Sequence, residues 1–324
     1  MRKPVVMSYL TMKGGVGKTT LAANVTRAMA DLATKKAAGA PTKYLLIDAD
    51  AQCNLTQIFL TPAEMDARQG RDVYQAFNAS HRLFTPSDLK TTVYHNTTNN
   101  SIIDLIPGSF DTFALVVGTP AVQDSAANVF ANFIKAACQE YDYVIIDTNP
   151  SATFTTLQAL KTSNFLVAPI TFDSFSMRGI DLIVSTLKVR YDWLSNPRRI
   201  RIVPNKIKRA RDNSAQLRQE KDEQSVIEMF PHLEQSVSIS RIHESNFLDN
   251  RIARRGHGFV IDQRVFAIHK PALRRVGDDF SEVARALNAA LREAFGDETE
   301  NKVASSNAFE RALKGFLDQP VVRH

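Results

Sequence analysis

The feature that most constrains this chain is a glycine-rich loop at residues 13–20, with the sequence Lys-Gly-Gly-Val-Gly-Lys-Thr-Thr. An apolar, β-prone run at residues 5–10 precedes the loop, and an Ala-rich segment with helical spacing follows it. Glycines allow successive backbone N–H groups to converge on one anion, and the start of a helix adds a partial positive charge. The order of strand, loop and helix therefore predicts a phosphate-binding loop.

The last residues of the loop have predicted contacts to a nucleoside triphosphate. Lys18 supplies a positive charge for the β- and γ-phosphates, and the hydroxyl of Thr19 is suited to ligate Mg²⁺. The loop residues predicted to bind the nucleotide are Gly14, Gly15, Val16, Gly17, Lys18, Thr19 and Thr20. The spacing departs from the usual G-x-x-x-x-G-K-[ST] pattern, because Met12 stands where the first glycine is expected and Lys13 follows it.

Apolar runs alternate with helical segments along the rest of the chain. Strands are predicted at residues 44–47, 101–106, 143–147, 165–170, 200–204 and 237–239. Continuous apolar runs are typical of strands that are buried on both faces of a parallel sheet. The pattern predicts an α/β fold with a doubly wound, mostly parallel sheet flanked by helices. Residues 61–100 are expected to be largely irregular, apart from a short helix near residues 72–77.

The chain of 324 residues is long enough for one large domain with an appendage. We assign residues 1–275 to the nucleotide-binding domain. Apolar side chains recur on one stripe of residues 278–295, which predicts an amphipathic helix. Residues 276–324 are therefore expected to form a C-terminal helical appendage with a polar tail.

Carboxylates follow two of the predicted strands, at the edge where α/β sheets bind ligands. Asp147 ends the run at 143–147, which is the Walker B arrangement for holding Mg²⁺. Asp48 and Asp50 follow the run at 44–47. The alternative for each carboxylate is a capping interaction with the helix that comes next.

The loop, with a lysine at each end, resembles the deviant Walker A motif of the ParA/MinD family of ATPases. Residues 48–54 are similar to the family switch motif D-x-D-P-Q-G-N, with Ala51 and Cys53 in place of proline and glycine. The resemblance implies that ATP and Mg²⁺ are the cofactors, that Asp50 positions the attacking water, and that Asp48 supports the Mg²⁺ shell. It implies catalytic roles for Lys13, Lys18 and Asp50.

The same resemblance implies a homodimer that forms on ATP binding. Lys13 of each copy would reach the ATP of the other, so that hydrolysis depends on dimerisation. Residues 169–179 are similar to a family segment near the dimer face, and residues 236–245 to the family pattern I-P-x-x-x-x-I-x-E-A. Asn205 stands where the family often contacts the adenine base, although a surface turn is the alternative. The resemblance covers residues 5–270 and is greatest to ParA/Soj-type partition ATPases.

Positive charge is concentrated in the second half of the chain, within a net charge of +6. Residues 190–211 contain eight basic and one acidic residue, and residues 241–275 contain eight basic and three acidic residues. Arginine suits phosphate oxygens, and few aromatic residues are interleaved, which favours the backbone of duplex DNA. The predicted DNA-binding residues are Arg241, Arg251, Arg254, Arg255, Lys270, Arg274 and Arg275. A solvated surface with local ion pairs is the alternative.

The family resemblance implies non-specific DNA binding, a ParB-like or other activating adaptor, and a role in partitioning a plasmid, chromosome or protein cargo. The chain is expected in the cytoplasm, associated with the nucleoid, since its two cysteines form no C-x-x-C pair and no apolar run approaches ~20 residues.

Two other members of the family suggest alternative functions. A MinD-like membrane association would require a basic amphipathic helix, but residues 307–317 carry balanced charges. An iron–sulfur protein would require two cysteines at a dimer axis, and neither Cys53 nor Cys138 is well placed for that.

Overall fold

A computed structural model describes residues 4–244, except 35, 37, 38, 79–81, 209, 211 and 239, and residues 271–295. The strands in these ranges are β1 (Val5–Tyr9), β2 (Thr42–Asp48), β3 (Thr91–Asn96), β4 (Ser101–Ile106), β5 (Tyr143–Asp147), β6 (Phe165–Ile170) and β7 (Ile200–Pro204). The helices in these ranges are α1 (Lys18–Asp31), α2 (Thr56–Phe59), α3 (Pro62–Asp66), α4 (Pro86–Leu89), α5 (Phe113–Val116), α6 (Pro120–Glu140), α7 (Phe154–Thr162), α8 (Ser174–Leu187), α9 (Asn213–Glu228) and α10 (Pro271–Phe295).

The described strands form one seven-stranded sheet in the order β3-β4-β2-β5-β1-β6-β7. Strands β4, β2, β5, β1, β6 and β7 are parallel, and β3 pairs with β4 in antiparallel fashion. The predicted α/β fold with a mostly parallel sheet is confirmed. In the register of β2 and β5, Asp48 lies opposite Asp147, so the two carboxylates meet at one edge of the sheet.

Alternate side chains of the central strands enter two different cores. Met7, Tyr9 and Ile145 belong to a core that α1 and α10 cover. Val6 and Ile146 point to the opposite face of the sheet. Helices α6, α7 and α8 cover that face. Helices on both faces leave the central strands buried, which explains their continuous apolar sequences.

Helix α10 packs against α1, and its apolar stripe lies in the same core as β1. The buried residues of this stripe are Phe280, Val283, Ala284, Leu287, Ala290 and Leu291. The predicted boundary between residues 275 and 276 falls inside α10, which begins at Pro271. Residues 296–324, and with them the amphipathic run at 307–317, lie outside the described residues.

Two predictions of secondary structure were wrong. Strand β3 lies within residues 61–100, where an irregular segment was expected, because half-exposed polar residues at a sheet edge give no apolar run. Of the predicted strand at 237–239, residue 239 lies outside the described residues, and Val237 forms only an isolated bridge with Ile202. A 3₁₀ helix at Val73–Ala76 takes the place of the short helix expected near residues 72–77. Among the described residues, no helix is long and apolar enough to cross a membrane.

Candidate nucleotide-binding site

The glycine loop connects β1 to α1 at the carboxyl edge of the sheet, as the sequence predicted. Gly15 and Gly17 adopt positive φ angles of 74° and 84°, a region that side chains disfavour. Gly17 is also the N-cap of α1, and no side chain caps this helix. The backbone N–H groups at the start of α1 are therefore available to an anion, as in other phosphate-binding loops.

Asn205 lies beneath the loop and is buried. Its side-chain amide donates a hydrogen bond to the carbonyl oxygen of Val16, at 2.6 Å. A Cβ atom on Gly17 would lie 2.3 Å from Nδ2 of Asn205. The residue that was predicted to contact the base therefore holds the loop in this structure.

We predict that Gly17→Ala destabilises the chain by about 2 kcal/mol or more, because the left-handed conformation and the collision with Asn205 add together. Gly14→Ala is the matched control, since a Cβ atom there meets nothing within 4 Å. Thermal unfolding of both variants without nucleotide is the measurement. Equal melting temperatures for the two variants would contradict the prediction.

Lys18 and Asp147 form a buried ion pair under the loop, with 3.3 Å between Nζ and Oδ1. Burial raises the pKa of Asp147, while the charge of Lys18 and the hydroxyl of Thr19 lower it. Both charged groups are almost completely buried, so each has lost the stabilising contact with water. The attraction between the two charges offsets that loss. The sequence placed these residues in one site, and the structure brings them together.

The carboxylate of Asp147 has spare capacity for a cation. Its Oδ2 atom is buried and has no hydrogen-bond partner among the described residues. Hard oxygen ligands such as this carboxylate and the nearby Thr19 hydroxyl suit Mg²⁺. The residues present therefore fit the predicted metal, with Asp147 and Thr19 as the best placed ligands.

Asp48 is fully buried, and burial together with the charge of Asp147 raises its pKa to about 7. Its Oδ2 atom accepts hydrogen bonds from the backbone N–H and the hydroxyl of Thr56, each at 2.7 Å. The Thr56 hydroxyl in turn accepts a bond from the N–H of Gly108, at 2.6 Å. This chain of contacts fixes Asp48 between α2 and the end of β4, so it supports the site mainly from beneath.

Asp50 is almost completely buried beside the loop, and its Oδ1 accepts a hydrogen bond from the N–H of Gln52, at 3.0 Å. Cys53 has a φ angle of 53°, in the left-handed region where glycine is favoured. The family switch motif has glycine at this position, so the backbone keeps the turn although the side chain differs. Burial, followed by the charges of Asp48 and Asp50, raises the pKa of the Cys53 thiol.

Lys13 is about half exposed, and its ammonium group contacts residues that follow β6. Its Nζ lies 2.8 Å from Oδ2 of Asp173 and 3.1 Å from the hydroxyl of Thr171. Burial raises the pKa of Asp173, but hydrogen bonds from Lys13, Thr171 and Ser176 outweigh it, and the net pKa is lowered. In the single chain, therefore, the second lysine is held by its own subunit.

A cleft of about 310 Å³ opens over the loop. Besides the loop it is lined by Asp50, Asn54, Ile58, Pro150, Asn205, Lys206, His243 and Glu244. Sequence reasoning missed His243 and Glu244 as wall residues, although they belong to the segment 236–245 that resembled the family. The N–H and Nδ1 of His243 contact Oδ2 of Asp279, at 3.0 and 3.1 Å, and this contact ties the cleft wall to α10.

The predicted DNA-binding residues are only partly described. Arg241 forms an ion pair with the buried carboxylate of Glu223, at 2.8 Å. Arg274 and Arg275 lie near the start of α10, and Arg275 is exposed. Arg251, Arg254, Arg255 and Lys270 lie outside the described residues. The assignment of these residues to DNA stays a prediction.

The sheet order, the glycine loop and the buried Lys18–Asp147 pair define a P-loop nucleotide-binding protein. A family model described as an AAA domain matches residues 5–198. The chain is 25% identical to a ParA family protein of Mycoplasma genitalium over 63% of this chain and 71% of that protein. It is 30% identical to the chromosome-partitioning ATPase Soj of Treponema pallidum over 56% of this chain and 62% of that protein.

Solved structures show the same fold. A plasmid partition protein of Borrelia burgdorferi bound to AMPPNP has a TM-score of 0.62 at 22% identity, over 87% of this chain and 98% of that one. The pNOB8 ParA bound to non-specific DNA has a TM-score of 0.61 at 18% identity, over 90% of this chain and 99% of that one. This chain thus belongs to the AAA-domain family of the matching model, and its similar proteins include ParA family members and partition proteins.

Proposed function

We propose that this chain is a partition ATPase that binds Mg·ATP, dimerises around it, holds DNA without sequence preference and hydrolyses ATP when an adaptor stimulates it. The observation that carries the proposal is the pair of lysines at the two ends of one loop. Lys18 is buried and paired with Asp147, whereas Lys13 is about half exposed and is held at the surface by Asp173 and the hydroxyl of Thr171. In the proposal, Lys18 serves the chain's own phosphates and Lys13 serves those of a neighbouring molecule.

The buried groups supply the chemistry within one subunit. Lys18 and the backbone N–H groups of the loop offset negative charge on the β- and γ-phosphates. Asp50, at the mouth of the same cleft, orients a water molecule and accepts its proton as the water attacks the γ-phosphate. Mg²⁺ held by Thr19 and Asp147, with Asp48 in support, would supply further positive charge to the phosphates.

Lys13 supplies the conditional part of the mechanism. Its pair with Asp173 is an exposed one, and such pairs contribute about 1 kcal/mol or less. Lys13 therefore loses little free energy when it leaves Asp173. In return it gains, as a new and multiply charged partner, the triphosphate bound to a second copy. In this proposal hydrolysis is slow in a single chain, because the charge that develops on the γ-phosphate lacks this second ammonium group.

The proposed DNA contact rests on the basic residues between 241 and 275 and on one structural relative, the pNOB8 ParA, whose structure was solved bound to non-specific DNA. Arginine-rich surfaces bind the phosphate backbone irrespective of base sequence. An activating adaptor, a nucleoid location and a plasmid, chromosome or protein cargo belong to the proposal on the strength of the family alone.

We predict that Arg254→Glu combined with Arg255→Glu lowers the affinity for duplex DNA about tenfold or more, equally for unrelated sequences, because phosphate contacts are lost. Binding measured with Mg·ATP, ADP or no nucleotide, at two salt concentrations, is the test. Arg218→Glu with Lys221→Glu, on the exposed helix α9, reverses the same number of charges and is the control. An unchanged affinity in the first variant would move the DNA contact elsewhere.

A further inference from the structure

Large apolar side chains are exposed in an uneven pattern. Among the described residues, the exposed phenylalanines are Phe110, Phe113 and Phe175, with 63%, 61% and 83% of their surfaces accessible. Val117 is a further exposed apolar side chain, with 70% of its surface accessible. Isolated exposed apolar residues are common, but clusters of exposed aromatic side chains mark interaction surfaces.

All three phenylalanines lie close after the carboxyl end of a strand. Phe110 and Phe113 follow β4, and Phe175 follows β6 at the start of α8. Helix α5, which contains Phe113, contacts α7, and α7 and α8 cover the same face of the sheet. The three rings therefore share the edge of the sheet that holds the nucleotide cleft.

The glycine loop lies between the two groups of aromatic residues. Strands β4 and β6 are separated by β2, β5 and β1, which places their ends about 19 Å apart at the usual strand spacing. Lys13 follows β1, next to β6. A molecule that receives Lys13 would thus cover both aromatic groups at once.

We infer that Phe110, Phe113, Val117 and Phe175, here called the aromatic rim, form the apolar contact with a second copy of this chain. The inference rests on the proposed function, because it is Lys13 that brings the second copy to this edge. At about 200 Å² for each phenylalanine, the three rings expose about 400 Å². That is about half of the 800 Å² that each partner of a stable complex commonly buries.

The local charge favours a protein partner over a polyanion. Asp111 lies between Phe110 and Phe113 and is exposed, and Asp173 lies two residues before Phe175. The exposed carboxylate of Asp111 would repel DNA phosphates and anionic lipid headgroups, and that of Asp173 would do so once Lys13 has left it for the second copy. A second copy instead brings its own apolar rim, which meets the first around a twofold axis.

The test uses the full chain with Asp50→Ala, which blocks turnover, and measures dimer formation by sedimentation velocity in saturating Mg·ATP. Adding Phe110→Ser and Phe113→Ser should raise the dimer dissociation constant about tenfold or more, while ATP binding is unchanged. Leu217→Ser is the matched control, because Leu217 is 59% exposed but lies on α9. It should dimerise like its parent.

The outcomes separate the two proposals. A parent that stays monomeric in saturating Mg·ATP overturns the proposed function. If the parent dimerises and the Phe110→Ser, Phe113→Ser variant dimerises equally well, the inference that the aromatic rim contacts the second copy is overturned, and the proposed function stands. The rim would then serve another partner. Oxidative footprinting of the parent covers the case in which the variant does not fold: Mg·ATP should protect Phe110 and Phe113, and unchanged labelling of both would overturn the inference.

Discussion

Replacing Lys18 with alanine is expected to lower the affinity for Mg·ATP by about 100-fold or more. In the proposed site, Lys18 provides the buried positive charge at the β- and γ-phosphates, and a hydrogen bond to a charged group contributes about 1.5–3 kcal/mol. Loss of its ammonium group also leaves Asp147, fully buried, without its cation. A buried charge that has lost its partner destabilises the region beneath the glycine loop, which adds to the loss of binding.

Binding of a fluorescent ATP analogue with Mg²⁺ is the measurement, with circular dichroism to show that the variant is folded. Lys135→Ala removes an exposed lysine from α6 and should bind ATP as the unaltered chain does. Asp147→Asn in the Lys18→Ala background should recover stability but not affinity, since it removes the unpaired charge without replacing the cation. Tight ATP binding by folded Lys18→Ala would refute the assignment of the loop.

The fold and the place of the glycine loop between β1 and α1 could be predicted from sequence because they rest on local patterns. Buried parallel strands are continuous apolar runs, and the loop combines glycines with Lys18 within eight residues. Strand β3 could not be predicted in this way, since its stability comes from pairing with β4 at an edge and not from its own apolar content.

Contacts between distant parts of the chain could not be predicted from the sequence. The bond from Asn205 to the carbonyl of Val16 joins residues that no motif relates, and it gives Asn205 a role in holding the loop. The pair between Lys13 and Asp173 likewise depends on the adjacency of β1 and β6. The family resemblance pointed Lys13 towards another molecule, whereas the single chain satisfies its charge internally until such a partner is present.

Replacing Asp50 with alanine is expected to lower the rate of ATP hydrolysis by about 100-fold or more while ATP binding persists, because a positioned base commonly contributes 10²–10⁴-fold. Asp50 lines the cleft, and within the described part of the chain its carboxylate accepts a hydrogen bond from the N–H of Gln52 and none from the glycine loop. Its backbone bonds to Asp48 and Cys53 are kept in the alanine variant, so the substitution leaves the glycine loop in place. In the proposed mechanism, the ATP that holds two copies together is then no longer consumed, and the dimer should accumulate.

Single-turnover hydrolysis, ATP binding and sedimentation of the same preparation separate these effects. Asp222→Ala, on the exposed face of α9, is the control for loss of one carboxylate and should hydrolyse ATP at the parental rate. Asp50→Asn distinguishes a base from a shape requirement, since it keeps the acceptor oxygen for the N–H of Gln52 but does not accept a proton. Parental turnover in Asp50→Ala would exclude Asp50 from the chemistry, and a low rate in Asp50→Asn as well would assign it the role of proton acceptor.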